Sequence, residues 1–137
     1  MHVCQLTRST VSHQLGGMER HSRELSAELR RRGLRVSTIT TALDAGRLVT
    51  VEPETEYLPG TMPSQYSDGW WRESSRALYR LHTTRPVDVI WSQSSGAMGF
   101  IRQDCGASQI ACVVFAHGTL YEEIRAAARR LESARAI

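Results

Sequence analysis

The feature that most constrains the fold is a strand, glycine loop, helix and strand in unbroken succession at the start of the chain. His2 to Leu6 is a short apolar-rich run that predicts a strand, and Thr7 to Leu15 is a polar loop ending in Gly16-Gly17. Helical spacing of Met18, Leu25 and Leu29 predicts a helix from about Met18 to Arg32, with Ser22 and Ser26 small enough to lie beside that stripe. Glu19 stands in its first turn and arginines in its last, as the helix dipole prefers, and Gly33 supplies a stop. Arg35 to Thr40, with Val36 and Ile39, predicts the second strand. A helix of this length between two strands favours a right-handed parallel crossover.

The rest of the chain continues the theme less cleanly. Leu48 to Val51 and Glu56 to Leu58 read as short edge strands cut off by Pro53 and Pro59, and 60–68 as a loop. A helix is expected from about Gly69 to Thr83, then a buried strand from Val87 to Trp91 after Arg85-Pro86. A short helix near Ala97 to Gln103 leads to the strongest apolar run, Ile110 to Ala116, read as a buried strand. A last helix is expected from Tyr121 to the end, with no glycine stop and no strand after it. Together these predict an α/β domain with a parallel sheet covered on both faces.

The 137 residues suffice for one domain with a real core and are too few for two. The net charge is only +3, and the basic clusters Arg30, Arg31, Arg32 and Arg125, Arg129, Arg130 fall at expected helix carboxyl ends. That placement is not the basic strip with interleaved aromatics that nucleic acid requires, so no nucleic-acid partner is expected. Cys4, Cys105 and Cys112 are odd in number and lack CxxC spacing, which signals neither a disulfide framework nor a zinc site. Cys4 and Cys112 fall in strand runs and read as buried, reduced thiols, which points to the cytoplasm. The opening residues form a strand rather than a secretory leader, and the longest apolar run is too short to span a bilayer.

Two constellations carry candidate chemistry. Gly16-Gly17 lies between a strand and a helix, the turn at which backbone N–H groups and the helix dipole receive anions. The plain alternative is that the pair merely turns the chain. Its spacing is not the GxGxxG of dinucleotide folds, which argues against NAD or FAD. His117-Gly118-Thr119 follows an expected strand, so both loops would open on one crevice at the carboxyl edge of the sheet. A lone histidine is more often structural, but the Gly-Thr after it would let a ligand approach and offers a hydroxyl at a helix start. Trp70-Trp71-Arg72 with Arg76 and Arg80 could lie on an anionic membrane, a candidate peripheral contact. The blander reading, one tryptophan in the core and one rimming a cleft, is preferred.

Gly16-Gly17-Met18-Glu19-Arg20-His21, with Leu25, Leu29, Arg32-Gly33 and Val36, resembles the opening of family-four glycosyltransferases, where a GG-x-E/Q-x-H loop starts the first helix. Pro86-Val87-Asp88-Val89-Ile90 and the run from Val113 to Thr119 look like the same family, so the resemblance covers nearly the whole chain. Leu34 departs from it, standing where the family usually has histidine. The resemblance implies the Rossmann-like N-terminal, acceptor-side domain of a GT-B enzyme, spanning 1–137 and incomplete. It implies a retaining transfer without metal or cofactor, from a nucleoside-diphosphate sugar as co-substrate to a glycan or lipid-linked acceptor of cell-surface biosynthesis. By the same resemblance Gly16 and Gly17 would face the donor diphosphate, and His117 would position the transferred sugar near its anomeric centre. Thr119 would line the acceptor side, and Arg8, Gln93 and Ser94, expected on loops at the same edge, are candidate acceptor contacts.

In that family a second domain holds the nucleotide, using two glutamates about a helix start, and nothing after His117 matches it. The expectation is therefore a chain inactive alone, completed by a C-terminal half in trans, since transfer needs donor and acceptor brought together in a cleft. A non-catalytic remnant or sugar- or nucleotide-binding module of the same fold is the alternative.

Overall fold

The computed structural model of the protein describes residues 1–46 and 52–117. Its strands are β1 (His2–Leu6), β2 (Arg35–Thr41), β3 (Thr55–Leu58), β4 (Val89–Gln93) and β5 (Ala111–Phe115), and its helices are α1 (Gly17–Arg31), α2 (Asp68–Thr84) and α3 (Met98–Asp104). The strands form one sheet in the order β3-β2-β1-β4-β5, and every pairing is parallel. The expected strand at Leu48–Val51 and the last helix from Tyr121 lie outside the described residues.

Strand alternation sends successive side chains to opposite faces. Cys4, Leu6, Ile39, Leu58 and Ile90 join Trp70, Ala77 and Leu78 of α2 and Phe100 of α3 in the larger core. Val3, Val36 and Trp91 form a smaller one against Leu25 and Leu29 of α1, with Leu34 and Phe115 beside it. Helices therefore cover both faces of the sheet, as the pattern predicts, and the Rossmann-like α/β architecture follows from it. The α1 stop is as expected. Gly33 takes φ +84, a left-handed value that glycine alone adopts without strain, and the Gly33 and Leu34 N–H groups bond back to Arg30 and Leu29 carbonyls.

Three expectations need correction. Met18 does not join the α1 stripe; the residues that α1 buries are Glu19, Ser22 and Ser26. The fourth strand begins at Val89 rather than Val87 and runs on to Gln93, because the Val87 N–H is taken by His82 Nδ1 at 3.0 Å and cannot join the ladder. The strand at Ala111–Phe115 is not buried: it is the outer strand among the described residues, with Val113 and Val114 about half exposed and Cys112 only half-buried. An apolar run reads the same at an edge as in a core, which is why pattern alone misplaced it.

The paired tryptophans fall as the preferred reading has them. α2 opens on Ser67, whose hydroxyl accepts the Trp70 N–H at 3.2 Å, and this cap sets the helix phase. That phase turns Trp70 fully inward, its indole N–H donating to the Gly96 carbonyl at 3.0 Å, while Trp71 donates to the Ser95 carbonyl at 3.1 Å. One tryptophan is therefore in the core and the other half-buried against the β4–α3 loop.

Candidate functional site

The chain leaves β1 toward one side of the sheet to build β2 and β3, then returns to the other side for β4 and β5. The reversal falls between β1 and β4, and in open parallel sheets the crevice beyond the carboxyl ends of such strands is where ligands bind.

The loop leaving β1 is held by a dense polar lattice. The Arg8 carbonyl accepts from the Thr41 hydroxyl at 2.6 Å. His13 is buried; its Nδ1 accepts the Thr10 N–H at 3.1 Å, so its Nε2 carries the proton and faces the carbonyls of Thr41 and Ala42 at 3.2 and 3.0 Å. Glu52 gathers the hydroxyls of Thr10, Ser12 and Tyr57 at 2.5, 2.8 and 2.7 Å.

Glu19 closes the lattice at the start of α1. It accepts from the Ser9 hydroxyl at 2.5 Å and the Gln14 amide at 3.1 Å. Burial raises the cost of its charge, but those donors and the backbone N–H groups of Glu19 and Gly16 outweigh it and hold the carboxyl below its ordinary range. The reach back to Gly16, the N-cap, is half of a capping box. It also explains the first glycine: a Cβ on Gly16 would collide with the Glu19 carboxylate. Gly17 has no such reason, since a Cβ there would meet nothing within 4 Å.

The loop leaving β4 is fixed from below by the two indoles and from the side by Ser92, whose hydroxyl donates to the Ser94 carbonyl at 2.9 Å and accepts the Ala97 N–H at 2.9 Å. The Ser94 N–H bonds the last carbonyl of β5 at 2.8 Å. Tyr66 ties both loops together: its hydroxyl donates to the Gln93 carbonyl at 2.5 Å and accepts the Arg8 N–H at 3.3 Å. The Arg8 guanidinium lies over the same ring, 5.7 Å from its centre. Burial pushes the Tyr66 hydroxyl up to about 12, so it stays a neutral donor.

Between these loops lies a cavity of about 730 Å³. Arg8, Gly17, Ser94 and His117 all line it, drawn from three loops, and so the structure brings together four of the residues singled out in the sequence. Gly16 stands one residue behind, turned to Glu19. Gln93 is not on a loop as expected: it ends β4, fully buried, its amide spanning Ser22 Oγ at 2.6 Å and His117 Nε2. Thr119 and Gly118 lie outside the described residues. Burial of the ring and the neighbouring His21 hold His117 below the ordinary histidine value, with Glu19 opposing.

Trp71 lines the cavity too, as the cleft-rimming tryptophan of the preferred reading; Tyr66, Gln14, Met18 and Met98 also line it and were not singled out. Tyr66 sits in a loop between Pro63 and Ser67 with no periodic neighbours, and Met18 reads as part of the helical stripe. Among the described residues no group of three or more His, Cys, Asp or Glu side chains is placed to hold a metal ion, and no helix is long and apolar enough to cross a membrane.

A parallel sheet wound in two directions from its centre, with a cavity of mixed polar and apolar lining at the turning point, defines a Rossmann-like α/β domain. The chain matches Glycosyltransferase Family 4 over residues 15–137 and belongs to that family, as the N-terminal domain of a GT-B glycosyltransferase. No curated protein matches the chain.

Proposed function

We propose that the protein supplies the acceptor-side wall of a retaining, metal- and cofactor-independent glycosyltransferase. It moves a sugar from a nucleoside diphosphate to a glycan or lipid-linked acceptor. The observation that carries this reading is the convergence of Arg8, Gly17, Ser94 and His117 on one cavity at the switch point. Gly17, whose missing side chain no packing demands, leaves the start of α1 open to the donor's diphosphate, where backbone N–H groups and the helix dipole favour negative charge. His117 positions the sugar near its anomeric centre, and Gln93 acts on the ligand through His117. Arg8 and Ser94 face the acceptor, with Thr119 beyond them.

One wall does not align two reactants. Transfer on this reading requires a nucleotide-binding domain that closes over the cavity, in the same polypeptide or in trans, and the 137-residue chain by itself transfers nothing. The reduced thiols and a nucleotide-sugar donor fit a cytoplasmic site of action. With Trp70 in the core and Trp71 bonded to the β4–α3 loop at the cavity, a peripheral membrane contact would draw on other surface groups.

The test is a nuclear magnetic resonance titration of the isotope-labelled chain with UDP-glucose, GDP-mannose and ADP-glucose in turn. Shifts of the Arg8, Gly17, Ser94 and His117 amides in one concentration-dependent set are expected for at least one of them. Shifts confined to another face would refute the reading.

A further inference from the structure

The buried chain Ser22–Gln93–His117 crosses from α1 through the end of β4 to the loop after β5, and only its last member touches the cavity. Gln93 is fully buried and Ser22 nearly so. The Gln93 amide nitrogen donates to Ser22 Oγ at 2.6 Å, and with the amide set that way its other end, Oε1, faces His117 Nε2. A carbonyl oxygen can only accept, so a neutral imidazole must carry its proton on Nε2.

We infer that Gln93, locked by Ser22, is a positioning residue that holds the His117 imidazole in one orientation and one tautomer, Nε2 protonated and Nδ1 the ring's sole acceptor. The inference rests on the proposed role of His117 toward the sugar, though the hydrogen-bond chain can be tested apart from it. A histidine on a strand-end loop is free to rotate about two side-chain bonds, and one hydrogen bond to a buried, rotationally fixed amide removes most of that freedom. An amide suits the task because it carries no charge. A carboxylate at the same position would favour the imidazolium and change the electrostatics beside a departing diphosphate.

Ser22 is then more than a small residue allowing α1 to pack closely. Without its hydroxyl the Gln93 amide can turn over and present a donor to His117, which would reverse the tautomer. The arrangement resembles the hydrogen bonds that fix ligand or catalytic histidines through their second nitrogen, with a neutral partner in place of a carboxylate.

The experiment reads the imidazole proton directly, by proton–nitrogen spectroscopy of histidine-labelled chain. In the wild type the His117 Nε2 proton is expected as a downfield, exchange-protected signal. In Gln93→Leu it is lost. In Ser22→Ala it exchanges about fivefold faster, the factor that losing one ordinary neutral hydrogen bond gives. Gln93→Glu, which keeps the acceptor, retains it. Dispersed backbone spectra check that each variant folds, and Ser22→Ala keeps the test alive if Gln93→Leu does not. A wild-type His117 without a protected Nε2 proton, or one unmoved in Ser22→Ala, overturns the inference. Sugar-nucleotide binding that fails with the proton signal intact would instead count against the proposed function alone.

Discussion

The two faces of the sheet are built by different rules. Beneath α2 and α3 the packing is mainly apolar, with Leu6, Ile39, Ile90, Trp70, Leu78 and Phe100 at its centre, and the buried His2, Ser37, Ser92 and Trp70 indole there each have a hydrogen-bond partner. Beneath α1 the character changes along the helix. Leu25 and Leu29 pack on Val3, Val36 and Trp91 near the amino ends of the strands, but toward the carboxyl ends the contact is Ser22 and Ser26 over Gln5, Thr38 and Gln93. A polar cavity of about 140 Å³ lies there, lined in part by Gln5, Ser22, Ser26 and Thr38.

The buried side-chain atoms without a hydrogen-bond partner among the described residues are Gln5 Nε2, Thr40 Oγ1 and Trp91 Nε1. All three belong to the α1 face by strand alternation. Each such atom costs stability, on the order of 1–3 kcal/mol. The larger core is the better satisfied of the two, whereas the α1 face carries the three unpartnered atoms.

That division can be broken or sharpened by mutation. Trp70→Ala removes the largest fully buried side chain and the hydrogen bond that anchors the β4–α3 loop. A loss of about 3–5 kcal/mol is expected in urea unfolding, enough to unfold many small domains. A loss below ~1 kcal/mol would mean that this face does not carry the fold.

Gly16→Ala strikes the α1 face where it is most tightly specified, pushing the Glu19 carboxylate off its donors. We expect a loss of about 1–3 kcal/mol at neutral pH. The folded carboxyl is held below its ordinary range, so its contribution is complete above the unfolded glutamate value and disappears as pH falls through the lower, folded value. The difference between wild type and variant should therefore shrink on acidification, and a constant difference would point to backbone strain instead.

Gln5→Leu should go the other way. Removing a buried amide with an unpartnered Nε2 is expected to stabilise the protein by about 1 kcal/mol. Destabilisation by that amount would show that Gln5 is better satisfied than its contacts suggest.

Much of this was legible in the sequence, and what was not follows the same division. The β1–α1–β2 unit, the sheet class and the helix stop at Gly33 come from periodicity and punctuation, which act locally. The convergence of Gly17 and His117 came from topology, since loops leaving parallel strands share an edge. Hidden were the features that depend on a partner far along the chain. The two contacts of Tyr66 need Arg8 and Gln93, and the burial of Gln93 needs Ser22 and His117. The exposure of β5 was missed because an apolar run carries no information about which side of a sheet it joins.

The second glycine gives the sharpest test, because packing and ligand make opposite demands on it. Measured side by side on Gly17→Ala, the melting temperature should be unchanged or higher, as a methyl group there meets nothing and alanine favours the helix. Affinity for the sugar nucleotide that shifts the wild-type cavity amides should fall about tenfold, equivalent to ~1.4 kcal/mol. A variant that melts as expected and binds that ligand as well as the wild type would contradict the account.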